Sequence, residues 1–140
     1  MRVEFKVPGS RFKVQSAEEL SAALAAEFGT RDVYELAARL GVAIEYGRWP
    51  LVTVGEWDAR AAKITVNEAA LDVAPDAKQA KAAIIAHELG HVAAHKYGLD
   101  SADKEKLAEE FAAYLLGDTQ LSVNLRNIWR KAHGEAISRH

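Results

Sequence analysis

The feature that most constrains the fold is a long run of helical periodicity in the middle of the chain. Pro75 precedes apolar residues that recur at a spacing of three or four from about 77 to 97, and Gly98 follows as a stop signal. This pattern predicts one long helix over 77–97, against which the remaining elements must pack. The chain has 140 residues, so we expect residues 1–140 to form a single domain.

Within that run stands the motif His87-Glu88-Leu89-Gly90-His91. Residues four apart on a helix lie about 6 Å apart along its axis on one face, so both imidazoles can reach a single ion. Glu88 lies too far round the helix to coordinate comfortably, but its carboxylate can act as general base on a water at the metal. Chance would produce this motif on the order of once in a hundred such sequences. The sequence therefore predicts a metal site with His87 and His91 as ligands and Glu88 as the catalytic base.

A third ligand is expected from the next helix, predicted at about 102–116 with Asp100 or Ser101 as its cap. Glu105 and Glu109 border a stripe with two alanines, which permits a close approach of the two helices. Glu110 points elsewhere and is predicted to be a solvated surface charge. Helical geometry favours Glu105 but leaves Glu109 open as the alternative third ligand.

Several other side chains are candidates for a role at or near the site. His95 continues the histidine row, but it lies about 12 Å along the axis from His87, so we expect it to support the ligands or to have a structural role rather than to bind the ion. A second donor for the oxyanion of a hydrolytic reaction cannot be assigned from the sequence, and Tyr97, Tyr114 and His133 are the candidates. The three tryptophans could line a cleft, but a core or interface position is expected for each.

The remaining patterns predict an α+β fold in which a small antiparallel sheet packs on helices. Strand 63–66 is expected to offer a free edge to an extended substrate. The other expected elements are a strand pair at 3–7 and 12–14, helices at about 17–28, 33–40 and 122–133, and strands at 42–46 and 51–54, the last antiparallel to 63–66.

Composition excludes several kinds of chemistry. The chain contains no cysteine, so disulfides, thiolate metal sites and a cysteine nucleophile are ruled out, and a metal must be held by His, Asp or Glu. A net charge of −2 provides no basic field for nucleic acid. We find no secretory signal at the start and no apolar run long enough to span a bilayer, and so expect a soluble cytoplasmic protein with no membrane partner.

These motifs resemble those of the ImmA/IrrE family of small zinc metallopeptidases. The resemblance covers residues 32–116 and includes the strand end at 64–67, the segment 85–91 followed by His95, and the pattern at 108–116. It implies a zincin-like fold in which the motif helix is followed by a ligand helix.

For the site, the resemblance implies a gluzincin-like centre with one zinc ion bound by His87, His91 and Glu105, and Glu88 as general base. For the partner, it implies a helix-turn-helix transcriptional repressor, often encoded nearby, which the enzyme cleaves to relieve repression. Manganese also suits such a ligand set. Two alternatives stay open: a metal-bound module that binds a regulator without cutting it, and a zincin that processes other peptides.

Overall fold

The structure is a computed structural model that describes residues 14–51 and 53–117. The strand pair predicted near the N terminus, Val14 excepted, and the helix predicted at 122–133 lie outside the described residues. Within those residues the helices are α1 (Ala17–Phe28), α2 (Val33–Arg39), α3 (Glu68–Asp72), α4 (Ala77–Tyr97) and α5 (Lys104–Leu116), and the strands are β1 (Ala43–Gly47), β2 (Gly55–Asp58) and β3 (Lys63–Asn67).

The ends of the helices follow local capping signals. The Ser16 hydroxyl accepts the N–H of Glu19 at the start of α1, and Asp76 accepts two N–H groups at the start of α4. Gly98 adopts a left-handed conformation (φ 68°) and ends α4. The predicted bounds of α1 and α4 are therefore confirmed.

The predicted start of α5 is wrong by two residues. Asp103, rather than Asp100 or Ser101, accepts the N–H of Lys106 and caps the helix. The Ser101 hydroxyl instead forms hydrogen bonds with the backbone of Asp103. Ser101 and Asp103 therefore both precede the first turn of α5.

The sheet differs from the sequence prediction in its pairing. Its strand order is β1-β3-β2, with β1 parallel and β2 antiparallel to β3, so it is mixed rather than antiparallel. Strand β3 lies in the centre, and the expectation that 63–66 offers a free edge is wrong. Among the described strands β1 and β2 form the edges, and β2 begins at Gly55, so the predicted strand at 51–54 is also wrong.

Asn67 anchors the chain before Gly55. Its buried amide donates to the carbonyl oxygens of Trp49 (3.1 Å) and Thr53 (2.9 Å), which ties both residues to the end of β3. The Asn67 Oδ1 atom also accepts the N–H of Ala69 and caps α3, a short helix that the sequence analysis did not predict. One buried side chain thus fixes the loop that leads into β2.

One face of the sheet is apolar and packs on α4. Ile64 and Val66 of β3 are completely buried there, and Gly55 and Trp57 of β2 share that face because they pair with the same two residues. The described residues thus form an α+β fold with five helices and a small mixed sheet. None of the helices in the described ranges is long and apolar enough to cross a membrane.

Candidate metal centre

The central feature of the site is the close contact between α4 and α5. Gly90 faces Ala108 so closely that a Cβ atom on Gly90 would lie 3.0 Å from the Cα and 3.2 Å from the Cβ of Ala108. A glycine in one helix and an alanine in the other therefore bring the two backbones together, as the small-residue stripe predicted. This contact brings the first turns of α5 alongside the histidines of α4.

Three potential ligands meet across this helix pair. Oε1 of Glu105 lies 3.0 Å from Nε2 of His87, and Oε2 lies 3.1 Å from Nε2 of His91. One potential ligand atom from each residue falls within 4.8 Å of the other two, so the group could hold a metal ion. Two donors at tetrahedral zinc lie about 3.4 Å apart. The two distances from Glu105 to the histidines are within a few tenths of an ångström of this value.

The charges of these side chains are strongly coupled. Hydrogen bonds from His87 and His91 hold the pKa of Glu105 well below its usual range, although partial burial opposes them. The pKa of His91 is raised, chiefly because Glu105 accepts its hydrogen bond, while burial acts in the opposite direction. An ionised carboxylate between two imidazoles is the donor set that a divalent cation prefers.

The other nitrogen of the His87 ring supports a functional role for this residue. His87 is only 8% exposed, and its Nδ1 atom is buried with no hydrogen-bond partner among the described residues. Such an atom lowers stability, so the ring is poorly explained as a structural element of the core. Its Nε2 atom lies 3.0 Å from Oε1 of Glu105, within the group that could hold a metal ion.

Glu88 lies beside the ligands, against the edge strand. It is 6% exposed, and its pKa is raised mainly by burial, with the charges of Glu105 and Glu56 adding to the effect and the two histidines opposing it. A Cβ atom on Gly55 would lie 3.4 Å from Oε2 of Glu88, so the backbone of β2 passes close to the carboxylate. A carboxylate with a raised pKa can accept a proton and release it again, as a general base requires.

A cleft of about 680 Å³ opens over α4 between β2 and α5. It gives access to Glu88, His91 and Glu105 from solvent. The cleft is lined by Glu56, Trp57, Glu88, His91, Ala94, His95, Gly98, Leu99, Asp100, Lys104, Glu105 and Leu107.

The remaining candidate residues are placed as follows. His95 lines the cleft but is not a member of the group that could hold an ion, in line with its predicted supporting role. Glu109, the alternative third ligand, is not in that group either. Tyr97 binds Glu27 through its hydroxyl, away from the cleft, and Tyr114 does not line the cleft. His133 lies outside the described residues.

Sequence analysis missed two residues that shape the site. Gly55 lets β2 approach Glu88, and Asn67 holds the loop that leads to Gly55. A glycine beside a strand is a known signal of close backbone approach, but nothing local identifies the element that it approaches. Trp57 combines the two positions predicted for the tryptophans, because it packs against the core and also lines the cleft.

Comparisons with known proteins add no relative. No family model matches the chain, and no curated protein or solved structure matches it.

Proposed function

We propose that the protein is a zinc-dependent endopeptidase with a zincin-like arrangement of α4 and α5. The observation that carries the proposal is the position of Glu105, whose two carboxylate oxygens face Nε2 of His87 and Nε2 of His91. Glu88, next to the first of these histidines, supplies a buried base at the same cleft. Two histidines and a glutamate beside a second glutamate form the minimal set for metal-assisted peptide hydrolysis.

The donor set favours zinc as the cofactor. Imidazole nitrogens and one carboxylate suit Zn²⁺, with Mn²⁺ as a second ion that tolerates the same atoms. When bound by His87, His91 and Glu105, zinc would act as a Lewis acid toward the scissile carbonyl and the attacking water. Glu88 would accept a proton from that water and pass it to the amine of the leaving peptide.

The edge of β2 is the surface on which an extended substrate would lie. Among the described strands, β2 pairs only with β3, so its outer edge is open to a peptide strand. Because β2 also lines the cleft, a peptide paired with it would pass Glu88 and the metal ligands. We therefore propose β2, rather than the strand at 63–66, as the edge that binds the substrate.

For the natural substrate we propose a helix-turn-helix repressor encoded close to this protein. The support is the resemblance of the segments at 85–91 and 108–116 to those of the ImmA/IrrE family, together with a net charge of −2, which offers no field for direct binding to nucleic acid.

The test compares Glu88→Gln with the surface variant Glu110→Gln. Each zinc-loaded protein is incubated with the neighbouring repressor, and fragments are followed on a gel and by mass spectrometry. We expect the wild type and Glu110→Gln to cut one bond and Glu88→Gln to retain zinc but lose cleavage by at least 100-fold. Full activity of Glu88→Gln would contradict the proposed mechanism.

One observation favours a second candidate, a metal-bound module that binds its regulator without cutting it. Of the predicted oxyanion donors within the described residues, Tyr97 is bound to Glu27 and Tyr114 does not line the cleft, while His133 lies outside the described residues. The side chains of His95 and Lys104, which do line the cleft, carry N–H groups that could take the role of an oxyanion donor. A stable complex of zinc-loaded wild-type protein and intact repressor, with no fragments after prolonged incubation, would favour the module.

A further inference from the structure

We propose that Glu56 determines specificity by binding the side chain of a lysine or arginine next to the scissile bond of the substrate. This inference rests on the proposed peptidase function and names the chemical class of residue that the cleft selects. It assigns to the β2 side of the cleft a role in recognition that is separate from metal binding and from proton transfer.

Glu56 belongs to the strand along which a substrate would pass. Successive residues of a strand point to opposite faces, so Glu56 points away from the α4-facing side that Gly55 and Trp57 occupy. It is nevertheless among the residues that line the cleft, and it belongs to an edge strand among the described strands. A peptide laid along that edge would carry its side chains past Glu56.

The charge of Glu56 has no counterion among the described residues. Its neighbour across the sheet is Thr65, which is uncharged. On the far side of Thr65, Glu45 occupies the matching position and is paired with Lys63 at 3.3 Å. Of these two glutamates in one row across the sheet, Glu45 has an ion-pair partner, whereas Glu56 has none among the described residues. Glu56 is the one that lines the cleft.

The other charged groups of the cleft have different surroundings. Glu105 contacts both histidines, and Glu88 is buried. Lys104 belongs to α5, on the other side of the cleft, and forms no ion pair with Glu56. Asp100, which also lines the cleft, lies between α4 and α5, so Glu56 is the carboxylate that a cationic substrate side chain would meet on the β2 side.

The experiment measures cleavage of matched peptides by the zinc-loaded enzyme. A peptide that the enzyme cuts is synthesised with lysine, norleucine or glutamate in turn at each position within three residues of the scissile bond. We expect lysine to be preferred over norleucine by about fivefold at one position, with glutamate disfavoured, and the preference to shrink in 1 M salt.

Two variants separate the role of Glu56 from a general effect of charge. Glu56→Gln should reduce the ratio of lysine to norleucine cleavage to about one, and Glu56→Lys should favour glutamate at the same position. Glu45→Gln, in the same row of the sheet but away from the cleft, should keep the wild-type ratio. An unchanged ratio in Glu56→Gln, or no position that prefers lysine, would overturn the inference while leaving the peptidase function intact.

A binding measurement distinguishes this outcome from failure of the proposed function. If no peptide is cut, the zinc-loaded protein is titrated with fluorescent peptide hydroxamates that carry lysine or norleucine and chelate the metal. Tighter binding of the lysine compounds that depends on Glu56 would support the cation subsite without peptidase activity. Equal binding of both series would overturn the subsite as well.

Discussion

The two sides of the cleft are held against α4 in different ways. On the α5 side, Gly90 meets Ala108 backbone to backbone, and a Cβ on Gly90 would lie 3.0 Å from the Ala108 Cα. On the β2 side, Gly55 meets side chains, and a Cβ there would lie 2.7 Å from Cγ2 of Ile84 and 3.4 Å from Oε2 of Glu88. The first contact sets the distance between Glu105 and the two histidines, whereas the second brings β2 beside Glu88.

Under the proposed function, this difference separates metal affinity from reactivity and specificity. Ligands on two helices in close contact depend on helix packing, and so metal affinity should respond to changes at α5. The base and the proposed cation subsite depend on the loop and strand at 49–58, and so reactivity and specificity should respond to changes there. Changes on the α5 side should therefore alter zinc affinity, and changes on the β2 side should alter peptide cleavage and specificity.

The largest effect is expected from removal of the α5 ligand. Glu105→Ala should weaken zinc binding by more than about 100-fold, because it removes a ligand rather than a supporting contact. Glu109→Ala tests the alternative ligand and should change the affinity by only a few fold. Competition with a zinc chelator measures both, and Glu110→Ala provides the surface control. A larger loss in Glu109→Ala than in Glu105→Ala would contradict the geometry described for the centre.

The next effect concerns the loop on the β2 side. Asn67→Ala should lower the free energy of unfolding by about 2–3 kcal/mol, because the carbonyl oxygens of Trp49 and Thr53 lose their donors. Urea denaturation of the metal-free protein measures the change. Thr53→Val is the matched control, since it removes only the hydroxyl that accepts the Trp49 indole N–H, and it should cost less. Equal losses in the two variants would show that Asn67 does not hold the loop.

A pair of glycine substitutions tests the comparison itself. Gly90→Ala should destabilise the fold by about 1–2 kcal/mol and weaken zinc binding about tenfold, because α5 must move away from α4. Gly55→Ala should destabilise to a similar extent and reduce peptide cleavage while zinc affinity stays within a few fold. Gly47→Ala is the control, because its Cβ would meet the Trp49 ring at an ordinary 3.5 Å. Loss of zinc in Gly55→Ala but not in Gly90→Ala would reverse the assignment of the two sides.

The smallest effect is the pH dependence of the metal-free protein. The raised pKa of His91 contributes stability that is present at low pH and lost as the pH rises through the folded value. The lowered pKa of Glu105 contributes stability that is present above its unfolded value and lost as the pH falls. The melting temperature should therefore be highest between about pH 4.5 and 6.5 in EDTA. Glu105 is largely exposed, so the change should be modest.

Zinc should reverse the alkaline part of this profile. Metal binding requires neutral imidazoles, so the stabilisation by zinc should grow as the pH rises from about 5 to 7.5. Thermal melts with and without zinc across this range measure it. A zinc effect independent of pH would argue against histidine ligands.

Sequence alone predicted the helices well because their signals are local. Ser16, Asp76 and Gly98 act on the turn next to them, so the spacing of a few residues determines where α1 and α4 begin or end. The sheet could not be predicted in the same way. Whether β1 pairs with β3 in a parallel sense depends on contacts between segments about 20 residues apart, for which the sequence carries no local signal.

The same distinction applies to the site. The motif on α4 was readable because both histidines belong to one helix with a fixed geometry. The choice between Glu105 and Glu109 could not be made from the sequence, because it depends on how α5 is placed against Gly90. Glu56 had no signal at all in the sequence, since an acid on a strand is ordinarily a solvated surface residue.

The most direct test of the central claim is the metal content of the purified protein. Elemental analysis of the wild type and of His87→Ala, after addition of zinc and removal of the excess, would measure it. The account predicts about one zinc per chain in the wild type and a large loss in the variant. Absence of bound metal from the wild type, or equal zinc in both proteins, would contradict a metal centre formed by His87, His91 and Glu105.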